Sequence, residues 1–300
     1  MNPSAQTEPP STIASALRNA TAWLAAAGSD SPRLDAEMLL AEALSVERSR
    51  FYINDKLAPD GAAIEKFHAL VARRAGGEPV SYIIGRREFW SLDFIVTPAV
   101  LTPRPETELL VDTALKCVGS NPNPRILDLG TGSGAIAVAL AKEVYGAEVV
   151  ATDISSDALE IARANARRHG AEDRISFRAG DLFGPVAGSK FDLIVANPPY
   201  IRREDIVTLP RDVRDFEPRV ALDGGADGLD FYRRIAREAP RYLSDGGFVA
   251  VEIGAGMGAD VARLFKNAGL DDVRIEKDLA DLERVVSASS DKLRMNESDG

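Results

Sequence analysis

The 300-residue sequence has few of the side chains that crosslink a chain or bind a metal ion. Cys117 is the single cysteine, so no internal disulfide can form, which fits a reducing compartment. The two histidines, His68 and His169, have no cysteine or histidine at ligand spacing, so we predict no metal site. We interpret the histidines as ordinary helix residues and Cys117 as a small buried hydrophobe.

Long apolar runs and clusters of positive charge are also missing. No stretch of about 18 apolar residues is present, so we expect no membrane association. The first residues, MNPSAQTEPPST, do not follow the pattern of a secretory signal, and we expect a cytoplasmic protein. The net charge is −10, and the arginines of residues 163–168 fit the solvated side of a helix. We therefore expect no direct binding of nucleic acid, and a monomer.

An Asn-Pro-Pro-Tyr sequence, residues 197–200, follows an apolar strand that reads FDLIVA. Two prolines fix two φ angles and remove two N–H donors, so the strand ends in a rigid loop. The Asn197 side-chain oxygen and the Pro198 carbonyl can accept the two hydrogens of a planar NH2 group, while Tyr200 covers its face. We predict that these three residues are catalytic and that they bind an amide or a base amine together with Pro199. The alternative is a proline-rich turn with a packed tyrosine.

A glycine-rich turn between the strand RILDL and a helix-compatible stretch consists of Gly130, Thr131, Gly132, Ser133 and Gly134. This order is that of a nucleotide-binding βα unit. Asp153 ends the next strand, where its carboxylate can accept hydrogen bonds from both ribose hydroxyls. The GxGxG spacing differs from the GxGxxG of dinucleotide sites, and Asp128 before the turn would repel a pyrophosphate. We therefore predict S-adenosylmethionine rather than NAD, with its methionine moiety at the glycine turn.

Further candidate residues follow the other strands. Ligands of open α/β sheets lie outside the carboxyl ends of the strands, so these residues should converge with Asn197 on one rim. We predict that Asp181 and Leu182 bind the adenine, with Asp181 accepting a hydrogen bond from its amino group. The alternative for Asp181 is a cap on the following helix. Glu106 and Thr107 either line the same cavity or cap a helix.

The chain divides into three predicted segments. Residues 12–86 read as helices, with caps at Thr12, at Ser31 before Pro32, and at Asp60. Residues 87–103 read as a β-hairpin connector.

From 104 to 287, strands alternate with helices, one of which is predicted at 106–118. The predicted strands are near 125–129, 147–153, 174–178, 191–196, 247–253, 272–276 and 283–287. The last two strands are expected to be antiparallel. Residues 1–11 and 288–300 are predicted to be disordered tails.

The motifs DLGTGSG, GDLF and NPPY resemble those of the bacterial release factor glutamine methyltransferases. Two more specific stretches are PRPETELLV at 103–111 and FEPRVALDGGADGLDFYRRI at 216–235. The resemblance extends from about Thr12 to Ser287. The chain departs from it at Leu182, where some relatives carry an aromatic residue beside the adenine.

The resemblance implies a class I S-adenosylmethionine-dependent fold. This is an α/β, seven-stranded, mainly parallel, doubly wound sheet with a small N-terminal helical domain joined by the β-hairpin. It also implies methyl transfer to the side-chain amide nitrogen of the glutamine in the Gly-Gly-Gln motif of peptide chain release factors, which modulates translation termination. The helical domain would recognise the protein substrate.

Three rival functions remain open. A related enzyme could methylate a glutamine of a ribosomal protein, although PRPETE and FEPRVAL favour release factors. An adenine-amino methyltransferase would share NPPY but usually needs a basic face and a target-recognition domain. A non-catalytic binding protein would be expected to lose Asn197 or the glycine turn.

Overall fold

The computed structural model describes residues 12–52 and 60–290. The predicted tail 1–11 and the part of the other predicted tail from 291 onward lie outside this range. The chain forms two compact units. One, the helical unit, comprises the chain up to Gly85 together with Arg211–Phe216. The other, the catalytic unit, comprises Arg86–Pro210 and the chain from Glu217 onward.

Ten α-helices occur in the described ranges. They are α1 (Ile13–Ala26), α2 (Pro32–Leu44), α3 (Gly61–Ala75), α4 (Val80–Ile84), α5 (Glu108–Val118), α6 (Ala135–Glu143), α7 (Ser156–Arg168), α8 (Arg211–Phe216), α9 (Asp230–Tyr242) and α10 (Gly258–Asn267). None of them has the length and apolar composition that a membrane span requires.

Nine strands occur in the same ranges. They are β1 (Arg86–Phe89), β2 (Leu92–Ile95), β3 (Arg125–Leu129), β4 (Glu148–Asp153), β5 (Ile175–Ala179), β6 (Phe191–Ala196), β7 (Leu243–Glu252), β8 (Asp271–Lys277) and β9 (Glu283–Ser289). β1 and β2 form an antiparallel hairpin.

The helical unit contains α1 to α4 and α8. Thr12 accepts a hydrogen bond from the Ser15 N–H as the cap of α1, and Asp60 caps α3 in the same way. Ser31 occupies the N-cap position of α2, but its side chain makes no capping hydrogen bond, so that part of the prediction is wrong. Its ψ of 53° lies outside the extended region that turns a cap side chain toward the helix N–H groups.

Buried carboxylates in the helical unit lie beside arginines. Asp35 accepts a hydrogen bond from Arg74 Nε at 2.7 Å. Arg74 also pairs with Asp212 of α8 at 3.4 Å. Glu37 contacts Arg33 Nε at 2.7 Å and Arg48 Nε at 3.5 Å. The pair between Arg74 and Asp212 connects the six-residue helix α8, far along the chain, to the helical unit, which the sequence pattern did not predict.

The main sheet of the catalytic unit has seven strands in the order β5-β4-β3-β6-β7-β9-β8. The neighbours from β5 to β7 are parallel, and β9 is antiparallel to both β7 and β8. The predicted fold class, a mainly parallel doubly wound sheet with an N-terminal helical region, is therefore confirmed. The antiparallel arrangement of the last two strands is confirmed as well.

Apolar residues cover both faces of this sheet. Along β6, Leu193 and Val195 belong to a buried cluster shared with α5 and α6, whereas Ile194 and Ala196 belong to a second cluster shared with α9 and α10. Successive side chains of a strand point to opposite faces, and a parallel sheet is covered on both. Cys117 of α5 packs against the first cluster, and burial raises the pKa of its thiol to about 11.

Some element boundaries differ from the prediction. β7 begins at Leu243 rather than at residue 247. Its pairing with β6 has an irregular register near the two glycines 246 and 247. β9 continues to Ser289, so the predicted tail cannot begin at 288. Ser289 pairs with β7 and β8 through its backbone, which needs no apolar side chain. A 3-10 turn over Pro105–Thr107 precedes α5, which the sequence pattern merged with the helix.

Candidate active site

A cavity lies at the carboxyl ends of β3, β4, β5 and β6 in the catalytic unit. Ten of the predicted site residues line it, namely Gly130, Thr131, Gly132, Ser133, Asp153, Asp181, Leu182, Asn197, Pro198 and Pro199. The segment that carries PRPETE contributes Arg104 and Thr107, and α9 contributes Phe231 and Arg234. Gly134 and Tyr200 are not among the lining residues of the described chain.

N–H groups of the glycine turn are hydrogen-bonded to protein atoms. Gly130 and Thr131 both donate to the Thr152 carbonyl, at 2.8 and 2.9 Å, and Gly132 donates to Asp153 Oδ2 at 2.9 Å. A pyrophosphate site needs such N–H groups free to face the ligand. Here these N–H groups are already bonded within the protein, and carboxylates lie beside the cavity instead. Such a site suits a cationic ligand, which agrees with the prediction of S-adenosylmethionine rather than NAD.

Helix α7 supports the glycine turn. Gly134 has φ of 79°, and a Cβ on it would lie 3.0 Å from the Ala162 Cβ, so only glycine allows this approach. Asn165 is fully buried and donates to the Ser133 carbonyl at 2.9 Å. It also exchanges two hydrogen bonds with the backbone of Ile95. The sequence analysis missed Asn165, because a buried amide in a helix has no distinctive spacing.

Asp153 lies at the cavity with a fixed side chain. Its Oδ2 accepts from the Gly132 N–H, and its Oδ1 accepts from the Ser155 N–H at 2.9 Å. Each carboxylate oxygen can accept a further hydrogen bond. The carboxylate is therefore oriented by the backbone and can still accept from a pair of neighbouring hydroxyls.

Asp128 lies beneath the glycine turn and is fully buried. Its Oδ2 accepts from the Thr131 hydroxyl at 2.6 Å, and its Oδ1 is without a hydrogen-bond partner in the described chain. Burial, helped by the nearby Asp153, raises the pKa of Asp128 to about 7. A cation bound in the cavity would favour its ionised form.

A group of charged and aromatic side chains borders the cavity at the end of β5. The Asp181 carboxylate pairs with the Arg234 guanidinium, which lies over the Phe231 ring at 5.6 Å from its centroid. The alternative role of Asp181 as a helix cap is wrong, because the following 3-10 turn has Phe183 at its N-cap position and no side-chain capping hydrogen bond. Leu182 has φ of 46°, and its carbonyl accepts from the Thr152 hydroxyl at 3.2 Å. Residue 182 is not aromatic, but the fold places the aromatic side chain of Phe231 at the cavity.

Asn197 extends from the end of β6, and its side-chain Nδ2 donates to Thr107 Oγ1 at 3.2 Å. Thr107 is buried and precedes α5, but its side chain makes no capping hydrogen bond. Of the two roles considered for Thr107, the cavity role is therefore correct. Glu252, at the end of the neighbouring strand β7, is 3% exposed, and the polar side chains of Thr107 and Asn197 near its carboxyl group favour the ionised form. It was not predicted, because a single glutamate after an apolar strand gives no signal by itself.

Tyr200, at the end of the NPPY loop, is not among the described residues that line the cavity. The Tyr200 ring packs against the second buried cluster. It lies so close to Gly254 that a Cβ on this glycine would be 3.1 Å from the ring. Burial is the main cause that raises the pKa of Tyr200 to about 12. The structure thus brings Asn197, Pro198 and Pro199 to the cavity, while stacking of Tyr200 on an amide stays a prediction.

The two family-specific stretches meet beside the NPPY loop. Arg104 of PRPETE pairs with the buried Glu217 of FEPRVAL at 2.6 Å. The backbone of Ile201 exchanges hydrogen bonds with Leu222 and Gly224 at 3.0 and 2.8 Å. A Cβ on Gly224 would lie 2.7 Å from the Tyr200 Cα, so a side chain there would displace the loop. These stretches hold the NPPY loop in place.

Comparison with known proteins agrees with this geometry. Residues 15–85 match the family described as the PrmC N-terminal domain, and residues 105–209 match the methyltransferase small domain. A release factor glutamine methyltransferase of Geobacter sulfurreducens is 44% identical over 275 residues, 92% of this chain and 95% of the relative. One of Xylella fastidiosa is 47% identical over 265 residues, 88% of this chain and 96% of the relative. The chain belongs to the release factor glutamine methyltransferase family.

A solved methyltransferase from Pyrococcus furiosus supports the fold of the catalytic unit. It superposes with a TM-score of 0.52 at 19% identity and covers 74% of this chain and 97% of its own. The relatives at 44% and 47% identity confirm the release factor glutamine methyltransferase family that the motifs indicated, and the chain is an enzyme of the methyltransferase class.

Proposed function

We propose that this enzyme transfers a methyl group from S-adenosylmethionine to the side-chain amide nitrogen of the glutamine in the Gly-Gly-Gln motif of peptide chain release factors. The observation that carries the proposal is the Asn197 side chain, which lines the cavity while its Nδ2 donates inward to Thr107. This arrangement leaves an amide oxygen as the acceptor for a planar NH2 group. The names of relatives more than 40% identical over most of the chain point to the same substrate.

The cavity fits the cofactor by the chemistry of its donor set. Asp153 would hold the ribose hydroxyls, and the glycine turn would receive the methionine part, with the Asp128 carboxyl beneath it. Asp181, Leu182 and Phe231 would border the adenine. When bound, S-adenosylmethionine supplies an electrophilic methyl group on a sulfonium.

The protein residues would act on the acceptor amide. An amide nitrogen is a poor nucleophile because its lone pair is delocalised. Hydrogen bonds from the NH2 to the Asn197 oxygen and the Pro198 carbonyl would raise the electron density on nitrogen and fix its line of attack. Positioning of this kind can contribute up to about 7–11 kcal/mol in the best cases. Acceptors at the nitrogen also stabilise the positive charge that develops there, and the proton can then leave to water.

The helical unit would help to bind the release factor. The cavity residues all lie in the catalytic unit, so the helical unit has no part of the chemistry assigned to it. A net charge of −10 does not favour DNA as the substrate. We therefore place recognition of a protein on the helical unit and methyl transfer on the catalytic unit.

The test is methylation with labelled cofactor and separate candidates. A bacterial release factor, total ribosomal proteins and DNA are each incubated with the enzyme, and label transfer is measured. We expect label on the release factor and background levels on the other two. Label on a ribosomal protein or on DNA, without label on the release factor, would refute the proposed substrate.

A further inference from the structure

Glu252 is a buried carboxylate that the mechanism above does not use. In the register of β6 and β7, Ala196 pairs with Val251, so the next residues along the two strands are Asn197 and Glu252. Glu252 is 3% exposed, and its Oε2 lacks a hydrogen-bond partner in the part of the chain that the structure describes. A buried carboxylate with an unsatisfied oxygen destabilises the fold, so its presence beside the NPPY loop calls for a function.

The polar groups around Glu252 have a preferred orientation. An ionised carboxylate only accepts hydrogen bonds, so it favours orientations in which the Thr107 hydroxyl and the Asn197 amide turn their hydrogens toward it. Thr107 Oγ1 in turn accepts from Asn197 Nδ2 at 3.2 Å. One N–H of the Asn197 amide thus has Thr107 as its acceptor, and the Glu252 carboxylate at the neighbouring strand end favours Nδ2 rather than Oδ1 on the protein side. With the N–H groups held on the protein side, Oδ1 is the group that Asn197 can offer to the cavity.

We propose that Glu252 is a positioning residue that sets the orientation of the Asn197 amide, both directly and through the Thr107 hydroxyl. The proposal rests on the proposed function, since the orientation matters only if the substrate is an NH2 donor. With Glu252 ionised, Asn197 presents an acceptor. With Glu252 neutral, its proton can donate to Thr107 or to Asn197, and the orientation is no longer fixed.

The surroundings of Glu252 place its change between the ionised and neutral forms close to neutral pH. Burial, reinforced by Glu106, raises the pKa of Glu252 to about 7, while the polar side chains of Thr107 and Asn197 and the charge of Arg284 oppose the shift. The other titratable groups near it are Tyr200, and Tyr232, whose hydroxyl donates to the Glu252 carbonyl at 2.8 Å. Both tyrosines have pKa values raised above 10, so they stay neutral in this range.

The kinetic test compares two threonines. Thr107→Val removes the linking hydroxyl and should lower kcat roughly tenfold, the factor for one neutral hydrogen bond, with an unchanged dissociation constant for S-adenosylmethionine. Thr107→Ser keeps the hydroxyl and should restore most of kcat. Thr113→Val is the matched control, because Thr113 is an equally buried threonine of α5 whose hydroxyl lacks a partner in the described chain. Equal kcat for Thr107→Val and Thr113→Val would contradict the proposal.

The pH profile tests Glu252 itself. Wild-type kcat should fall as pH drops through about 7, and Glu252→Gln should lower kcat at pH 8 and remove this step. Asp128 also has a pKa raised to about 7, so the step belongs to Glu252 only if Glu252→Gln abolishes it. A wild-type kcat and an unchanged step in Glu252→Gln would overturn the assignment.

A measurement without substrate separates this inference from the proposed function. In the 15N-labelled full-length protein, the Asn197 side-chain NH2 signal, assigned by its loss in Asn197→Asp, should shift with a midpoint near pH 7. The shift should vanish in Glu252→Gln and persist in Thr113→Val. An Asn197 signal that does not titrate would refute the role of Glu252, even if release factor is methylated. A titrating Asn197 signal without methylation of the release factor would support the role of Glu252 and refute the proposed substrate.

Discussion

Among the described residues, the helical unit pairs its buried carboxyl groups with arginines, whereas the catalytic unit also buries two carboxyl groups without an arginine. In the helical unit, Asp35 and Glu37 are buried beside Arg74 and Arg33, each at 2.7 Å. In the catalytic unit, Glu217 is likewise buried beside Arg104 at 2.6 Å. Asp128 and Glu252, however, are buried with no arginine in hydrogen-bond contact among the described residues, and each has an oxygen that lacks a partner there. Both have a pKa raised to about 7, mainly by burial.

The difference shows which carboxylates serve the fold and which serve the site. Paired carboxylates connect elements of the fold, as Asp35 connects α2 to α3. Buried carboxyls without a cationic partner weaken the fold, and proteins retain such groups mainly at functional sites. Here they lie beneath the glycine turn and beside the NPPY loop. The predictions below test whether this division is correct.

The largest effect is expected at Asn197. Asn197→Ala should reduce methyl transfer to the release factor by roughly 100- to 1000-fold, as found when one stabilising group is removed from a preorganised site. The affinity for S-adenosylmethionine should stay close to that of the wild type, because Asn197 is assigned to the acceptor amide. Label transfer and calorimetric titration measure the two quantities.

Asn197→Asp is the accompanying control. It keeps the acceptor oxygen but loses the N–H donor to Thr107, and it adds a charge beside the buried Glu252 carboxyl group. We expect partial activity at best. Near wild-type turnover by Asn197→Ala would mean that NPPY is only a structural turn.

Two isosteric substitutions should have opposite effects on stability. Asp35→Asn should lower the free energy of unfolding by on the order of 3 kcal/mol, because it leaves the largely buried Arg74 side chain without its nearest carboxylate. Glu252→Gln should raise that free energy at pH 8. The neutral form of Glu252 stabilises the fold fully below its ordinary pKa of 4.5, and this stabilisation is lost as pH rises through about 7.

Urea denaturation at pH 5.5 and pH 8 measures both effects. The gain from Glu252→Gln should be larger at pH 8, whereas the loss from Asp35→Asn should appear at both values. If Glu252→Gln destabilises the protein at pH 8 as much as Asp35→Asn does, the contrast between the two units is wrong.

A smaller effect is expected at Asp153. Asp153→Ala should weaken binding of S-adenosylmethionine by about 1.5–3 kcal/mol, the range for a hydrogen bond to a charged group. Asp153→Asn, which can still accept through one oxygen, should lose less. Calorimetric titration gives the two dissociation constants, and an unchanged value in a folded Asp153→Ala protein would remove the ribose assignment.

The sequence predicted the parts of the fold that depend on local pattern. The strands at 125–129 and 191–196 lie where the apolar runs placed them, because a buried parallel strand needs a continuous apolar run. The ends of β7 and β9 were misplaced, since they depend on backbone pairing with neighbours. The short helix α8 was missed because its place in the helical unit depends on Arg74, far away in sequence.

The candidate site divides in the same way. Asn197, Asp153 and the glycine turn belong to short motifs whose spacing indicates their chemistry, and they line the cavity. Glu252, Asn165 and Phe231 have no motif of their own, and only the sheet order and helix packing bring them to it. Residues that orient a site are harder to predict than the motif residues they support.

The most direct test of the account is the location of the transferred methyl group. Release factor is incubated with isotope-labelled S-adenosylmethionine and either the wild-type enzyme or Asn197→Ala, then digested and sequenced by tandem mass spectrometry. The account predicts one methyl group on the glutamine side-chain nitrogen of the Gly-Gly-Gln peptide with the wild type, and almost none with Asn197→Ala. A methyl group on any other residue, or equal labelling by the two proteins, would contradict it.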